Sequence, residues 1–301
     1  MNPPTINSGA PKSVTFVEWR DGPKSQRAAF TLIELVTVMA IIAVLAMILL
    51  PVLMRAKGTA LTVQCLNNMK DLQRSYHLYV NENNGYLPLN FIAGSSGGRN
   101  SWVSGNAQID VTTTNIQHGL LYQYSQNPLI YACPANTHLI RVTTPPPGSG
   151  LKPSQLVPQV RTCSIDYSLG ANSVGSPNGP WTISRNGLTW NSYQKFSQIQ
   201  SRIAQKIVFA DEAQWNLDDC AFGLFPLTSS PPINVWWNLP GNRHNNGAVW
   251  SFADGHCEYW KWHGSVVNTL IYQTSYSGSG DIPGDTSDDL ARTEAGGAQF
   301  P

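Results

Sequence analysis

Residues 30–54 read FTLIELVTVMAIIAVLAMILLPVLM. From Leu35 to Met54 no side chain carries a formal charge. As a helix rising about 1.5 Å per residue, those positions would extend about 30 Å, the thickness of a bilayer's hydrocarbon core. Glu34 stands at the amino-terminal edge, with no basic residue before it until Arg27, and Arg55 and Lys57 close the segment. An ionisable group at the edge of a span costs up to about 2.5–3.5 kcal/mol, so this acid needs a partner. Residues 30–54 therefore read as a transmembrane helix with one carboxylate to satisfy.

The helical pattern continues beyond the span. Leu61, Cys65, Met69, Leu72, Tyr76 and Tyr79 recur at spacings of three and four, the signature of one apolar helix face. Lys57, Asn68, Lys70, Asp71 and Arg74 fall largely off that stripe. Residues 55–84 are expected to be an amphipathic continuation that ends at the turn signal Asn83-Asn84-Gly85. On the other side, residues 1–29 hold Lys12, Arg20, Lys24 and Arg27 against Glu18 and Asp21 and lack an apolar core of their own. That is a polar leader, not a conventional secretory signal, and the positive-inside rule keeps it cytoplasmic. Residues 85–301 would then lie outside the cytoplasmic membrane.

With 19 Lys and Arg against 18 Asp and Glu, the chain has no basic excess to suggest nucleic acid. Charged residues are 12% of the 301 positions while tryptophan alone numbers ten, a composition that suits an exported β-rich domain better than a cytosolic enzyme.

Ala29-Phe30-Thr31-Leu32-Ile33-Glu34-Leu35 resembles the processing site of type IV prepilins and of type II secretion pseudopilins. In that family a membrane peptidase cuts before the Phe and methylates the new amine. The resemblance places the cut between Ala29 and Phe30 and makes Glu34 the fifth mature residue, with Pro51 at the family's helix-kink position. One position departs: Ala29 stands where the family usually has Gly. In a filament, the Glu34 carboxylate of one subunit would pair with the Phe30 amine of its neighbour, because either charge left unpaired in a dry bundle costs several kcal/mol.

Further matches point to a subgroup with a large carboxy-terminal domain. They are Cys65–Lys70, Tyr79–Pro88, Cys133-Pro134, Tyr167–Asn172, and His244 followed nine residues later by Asp254-Gly255, which looks like an H-x9-DG signature. The resemblance implies an α+β, pilin-like fold, a long helix packed on an antiparallel sheet. It implies a structural subunit of a pseudopilus or type IV filament. Its partners would be a prepilin peptidase/N-methyltransferase, sister subunits and an inner-membrane assembly platform.

In the head, residues 85–190 are turn-rich and read as loops on a scaffold, with a short helix near Gly119–Tyr124 and an exposed Pro-rich excursion at Thr143–Pro153. Ile207–Ala210 reads as a buried strand, and Gly247–Phe252 with Cys257–Trp262 as a hairpin turning at Asp254-Gly255. Residues from about 275 onward are Gly-, Ser- and Asp-rich, the composition of a frayed tail.

His244 is expected to fold back on the Asp254-Gly255 turn in a structural role. Five cysteines, Cys65, Cys133, Cys163, Cys220 and Cys257, show no zinc-type spacing. Two bridges or free thiols are both open, with Cys220–Cys257 the preferred pair because both flank strands in the last third. Calcium stays open at Asp211-Glu212 with Asp218-Asp219, or in the tail at Asp281, Asp285, Asp288 and Asp289. No catalytic motif is present, so no enzyme and no cofactor is expected. The alternative is a membrane-tethered module that binds glycan or an exported substrate on tryptophan faces, with Trp236-Trp237 as the exposed candidates.

Overall fold

The computed structural model describes residues 31–91, 101–172, 182–185, 188–225, 235–265, 267, 282–283 and 288–296. The leader, Ala29 and Phe30 lie outside them. The chain divides into two compact units, Met1–Val52 and Leu53–Pro301. The fold is α+β, with a single long helix, α1 (Leu32–Glu82), ahead of several small sheets.

In the first unit, α1 opens at Thr31 and runs through Pro51, the one proline in the helix. Its apolar side chains face outward throughout; Met47, for example, is 73% exposed. By length and composition this stretch could cross a membrane.

In the second unit the helical stripe is buried as its spacing requires. Cys65, Met69, Leu72, Tyr76 and Val80 face inward, and Tyr79 packs at the edge of the same cluster. The helix stops where the sequence says it should. Asn84 and Gly85 take positive φ (55° and 78°), and the Gly85 amide closes back on the Val80 carbonyl at 2.9 Å.

The central sheet has five strands: β1 (Cys163–Asp166), β2 (Ile207–Asp211), β3 (Ala221–Phe222), β4 (Gly247–Phe252) and β5 (Cys257–Lys261). Their order is β5-β4-β2-β1-β3. Every neighbour pair is antiparallel except β1–β3, so the expected antiparallel sheet is mixed at one edge. Val249 of β4 joins α1, Trp102, Tyr131 and Phe209 in one core, while Ala248, Trp250 and Phe252 join Trp260, Trp262 and Leu290 in another. The two cores lie on opposite faces, as strand alternation dictates.

The β4 ladder shifts register between Trp250 and Phe252. Ser251, skipped in the pairing with β2 but paired with Cys257 of β5, accepts from the Phe209 amide (3.0 Å) and donates to Gln73 Oε1 of α1 (2.9 Å). That bulge lets a buried glutamine tie the helix to the sheet without an unpaired polar group. The β4–β5 hairpin turns at Asp254-Gly255 with Gly255 at φ 98°, and Asp254 Oδ1 accepts from the His256 amide.

Two expectations about this region are corrected. The Cys220–Cys257 bridge does not form, and none of the five cysteines is in a disulfide. Cys220 precedes β3 and Cys257 opens β5, at opposite edges of the sheet. Four strand spacings of about 4.8 Å separate those edges, against roughly 7 Å as the Cα limit for a bridge. Residues 85–190 are also more than loops, since they contribute β1, an interior strand of the sheet.

Candidate functional site

The described part of the amino-terminal segment begins with a capping box. Thr31 precedes α1 and Glu34 is its third residue. The Thr31 amide and hydroxyl both donate to Glu34 Oε2, at 2.9 and 2.7 Å, and the Glu34 amide donates back to Thr31 Oγ1 at 3.3 Å. Within the chain the acid therefore has a partner: it caps its own helix. The T-x-x-E spacing that signals this is plain in the sequence.

The second site lies in the Leu53–Pro301 unit, where four elements meet. Cys65 comes from the buried stripe of α1. Cys133 follows a 3-10 turn, Pro128–Tyr131, that is capped by Asn127 Oδ1 accepting from the Leu129 amide. Its own amide donates to Thr162 Oγ1 (2.7 Å), and Asn68 of α1 donates to the Ala132 carbonyl (3.3 Å). Asp211 ends β2 in the middle of the sheet. His244 sits on the loop entering β4, where Asn245 and Asn246 both adopt left-handed φ (52° and 64°), a conformation asparagine tolerates better than most residues.

The donor atoms of Cys65, Cys133, Asp211 and His244 all lie within 4.8 Å of one another, and all four residues are buried. Cys133 Sγ is 3.2 Å from His244 Nε2, and that nitrogen is 4.0 Å from Asp211 Oδ2. The Thr62 hydroxyl donates to the Gly58 carbonyl (3.0 Å), so at 3.3 Å from His244 Nδ1 it serves as acceptor. That places an imidazole proton on Nδ1 and turns Nε2 toward the cluster, where it faces Cys133 Sγ.

Arg243, also buried, donates to Asp211 Oδ1 and to the Glu212 carbonyl, each at 2.7 Å. Asp211 Oδ2 is buried without a hydrogen-bond partner. Gly241 packs so tightly here that a Cβ would lie 2.8 Å from that oxygen.

The electrostatics follow from these contacts. Burial raises the Asp211 carboxyl to about 6, although Arg243 pulls against it. The hydrogen bond from Cys65, then that from His244 and the charge of Arg243, hold the Cys133 thiol far below its ordinary range. The same bond and burial keep Cys65 protonated. Burial works against a charged His244, but Cys133 and Asp211 outweigh it and the net shift is upward.

His244 thus does not fold back on the Asp254-Gly255 turn as expected. The six-residue strand β4 stands between them, on the order of 20 Å at about 3.3 Å per residue. Its side chain reaches α1 and Cys133 instead. Sequence spacing pointed away from any metal site, yet the fold gathers four side chains of metal-ligating type at one point.

Against known proteins, a family model described as the prokaryotic N-terminal methylation motif matches residues 24–50. The chain has a prepilin-type amino terminus. No curated protein and no solved structure matches it. The motif spans the expected cut site and the exposed apolar half of α1, so the prepilin-like chain is a candidate substrate of prepilin peptidase and fits a membrane-anchored pilin-type protein.

The remaining expected site residues scatter over this prepilin-like chain. The Glu212 carboxylate accepts from Asn238 (2.7 Å) and from Ser164, while the Asp211 carboxylate is held by Arg243. Asp289 Oδ2 accepts from the His263 and Gly264 amides at 2.8 and 2.7 Å, with Asp288 beside His263. Asp281 and Asp285 lie outside the described residues.

Trp236, suspected of exposure, is buried. Trp237 is half-buried against Tyr167, Trp190 and Phe225. Among the described residues every tryptophan is buried or half-buried, most of them in the two cores around the sheet.

Proposed function

We propose that this chain is a structural subunit of a type II secretion pseudopilus or related type IV filament, and not an enzyme. One observation carries the reading. The methylation motif overlaps a helical segment whose apolar side chains are exposed among the described residues. Uncovered apolar surface of that extent belongs in lipid or against another protein. The single-pass anchor holds the subunit in the inner membrane with its leader cytoplasmic and its head in the periplasm. Prepilin peptidase/N-methyltransferase removes residues 1–29, and the freed helix packs with sister subunits under an inner-membrane assembly platform. The size of the head favours a minor or specialised subunit, since bulky heads crowd a helical lattice.

Glu34 has two roles in this reading, capping α1 and neutralising a neighbour's Phe30 amine. A pair of substitutions separates them. Glu34→Gln keeps a side chain that can cap but removes the charge. Glu34→Ala removes both. Both variants should be cleaved yet remain in the membrane fraction, with incorporation into sheared filaments lost. Wild-type incorporation of Glu34→Gln would refute charge neutralisation as the assembly step.

A further inference from the structure

We propose that Cys65, Cys133, Asp211 and His244 form a structural zinc site that fastens the long helix to the head. The size of the cluster fits. Zinc bonds of about 2.0–2.3 Å in a tetrahedron give ligand–ligand edges of roughly 3.3–3.8 Å. Two edges of the cluster, 3.2 Å from Cys133 Sγ to His244 Nε2 and 4.0 Å from His244 Nε2 to Asp211 Oδ2, bracket that range.

The atoms are also prepared for a cation. The hydrogen bond to Thr62 occupies Nδ1 and leaves Nε2 as the ligand atom of His244, the arrangement that metal-bound histidines use to fix their orientation. Asp211 is anchored through Oδ1 by Arg243 while Oδ2, buried and without a partner, faces the cluster. A buried carboxylate oxygen with nothing to accept from is costly, and a bound cation would satisfy it.

Charge decides further. Zinc with two thiolates and one carboxylate carries a single net negative charge, which the buried Arg243 guanidinium cancels. Two sulfurs, one imidazole and one carboxylate suit zinc better than calcium or magnesium, which prefer all-oxygen shells. Four protein ligands, all buried, leave no open position for substrate, so the role is structural. The ligands come from α1, the segment after the 3-10 turn, β2 and the loop before β4. One ion would therefore join four elements far apart in sequence. Binding would release the remaining ligand protons to solvent.

The test uses the full-length chain in detergent, purified under reducing conditions and loaded with zinc or cobalt(II) alone. Elemental analysis should give one zinc per chain. The cobalt form should show thiolate-to-metal charge transfer and the intense visible bands of tetrahedral cobalt. Cys133→Ser and His244→Ala should lose that spectrum, while Cys257→Ser, on the far strand β5, should keep it. If the ligand variants fail to fold, the wild-type spectrum decides alone. Weak octahedral bands, no bound metal, retention of the spectrum in folded Cys133→Ser, or a Cys65–Cys133 disulfide in the intact-mass spectrum would each overturn the site.

Discussion

The two stretches of α1 on either side of Val52 are built from similar residues and used in opposite ways. Before Val52 the apolar side chains point in every direction and stay exposed. From Cys65 on most of them keep to one face, and that face is buried under Trp102, Tyr131, Phe209 and Val249, with Leu78 left outside it. A helix apolar all round must find its cover outside itself, whereas one with a stripe finds it on its own sheet. Hydrophobic content alone does not tell these cases apart; its angular distribution does.

The strongest test of that contrast is a matched pair of truncations. Leu72, fully buried, should cost about 2–5 kcal/mol of head stability as Leu72→Ala. Leu45→Ala, in the exposed stretch, should leave the chemical-denaturation midpoint of the head within about 0.5 kcal/mol. Equal losses would break the distinction.

A smaller effect comes from pH. Glu294, on the helix Asp289–Ala295, has its carboxyl raised to about 8 by burial, with Oε1 buried and unpartnered. A carboxyl raised in the folded state binds more protons folded than unfolded, so head stability should fall as pH rises from about 4.5 to about 8. Glu294→Gln should flatten that slope in pH-dependent unfolding curves. An unchanged slope would show that the carboxyl is ionised in the fold.

The smallest expected effect is on the buried stripe itself. The Tyr76 hydroxyl is buried without a hydrogen-bond partner beside Phe209. Tyr76→Phe should be neutral or stabilising by up to about 1 kcal/mol, because it removes an unsatisfied polar group and little else. A clear loss of stability would reveal a polar contact for that hydroxyl.

What could be read from the chain follows the range of the interactions. The stripe from Cys65 to Tyr79, the stop at Asn84-Gly85, the strand at Ile207–Ala210 and the Asp254-Gly255 hairpin are local patterns, and all appear in the fold. The strand Cys163–Asp166 was not legible, because it is only four residues long and two of those, Ser164 and Asp166, are polar side chains that the fold buries. The Cys65, Cys133, Asp211 and His244 cluster was invisible for a related reason: no two of its members share a local motif. His244 stood out in the sequence, but its partners lie on α1 and beyond the 3-10 turn, so its role could not be assigned from the turn that follows it. The preferred disulfide failed similarly, since flanking strands say nothing about which edge of a sheet each occupies.

The claim on which the functional reading depends is that proteolysis before Phe30 creates the charge that Glu34 neutralises. Mass spectrometry of the amino-terminal peptide, from protein recovered from cells that carry a prepilin peptidase, tests it directly. A peptide beginning at Phe30 with a methylated amine is expected. A peptide beginning at Met1 would contradict it.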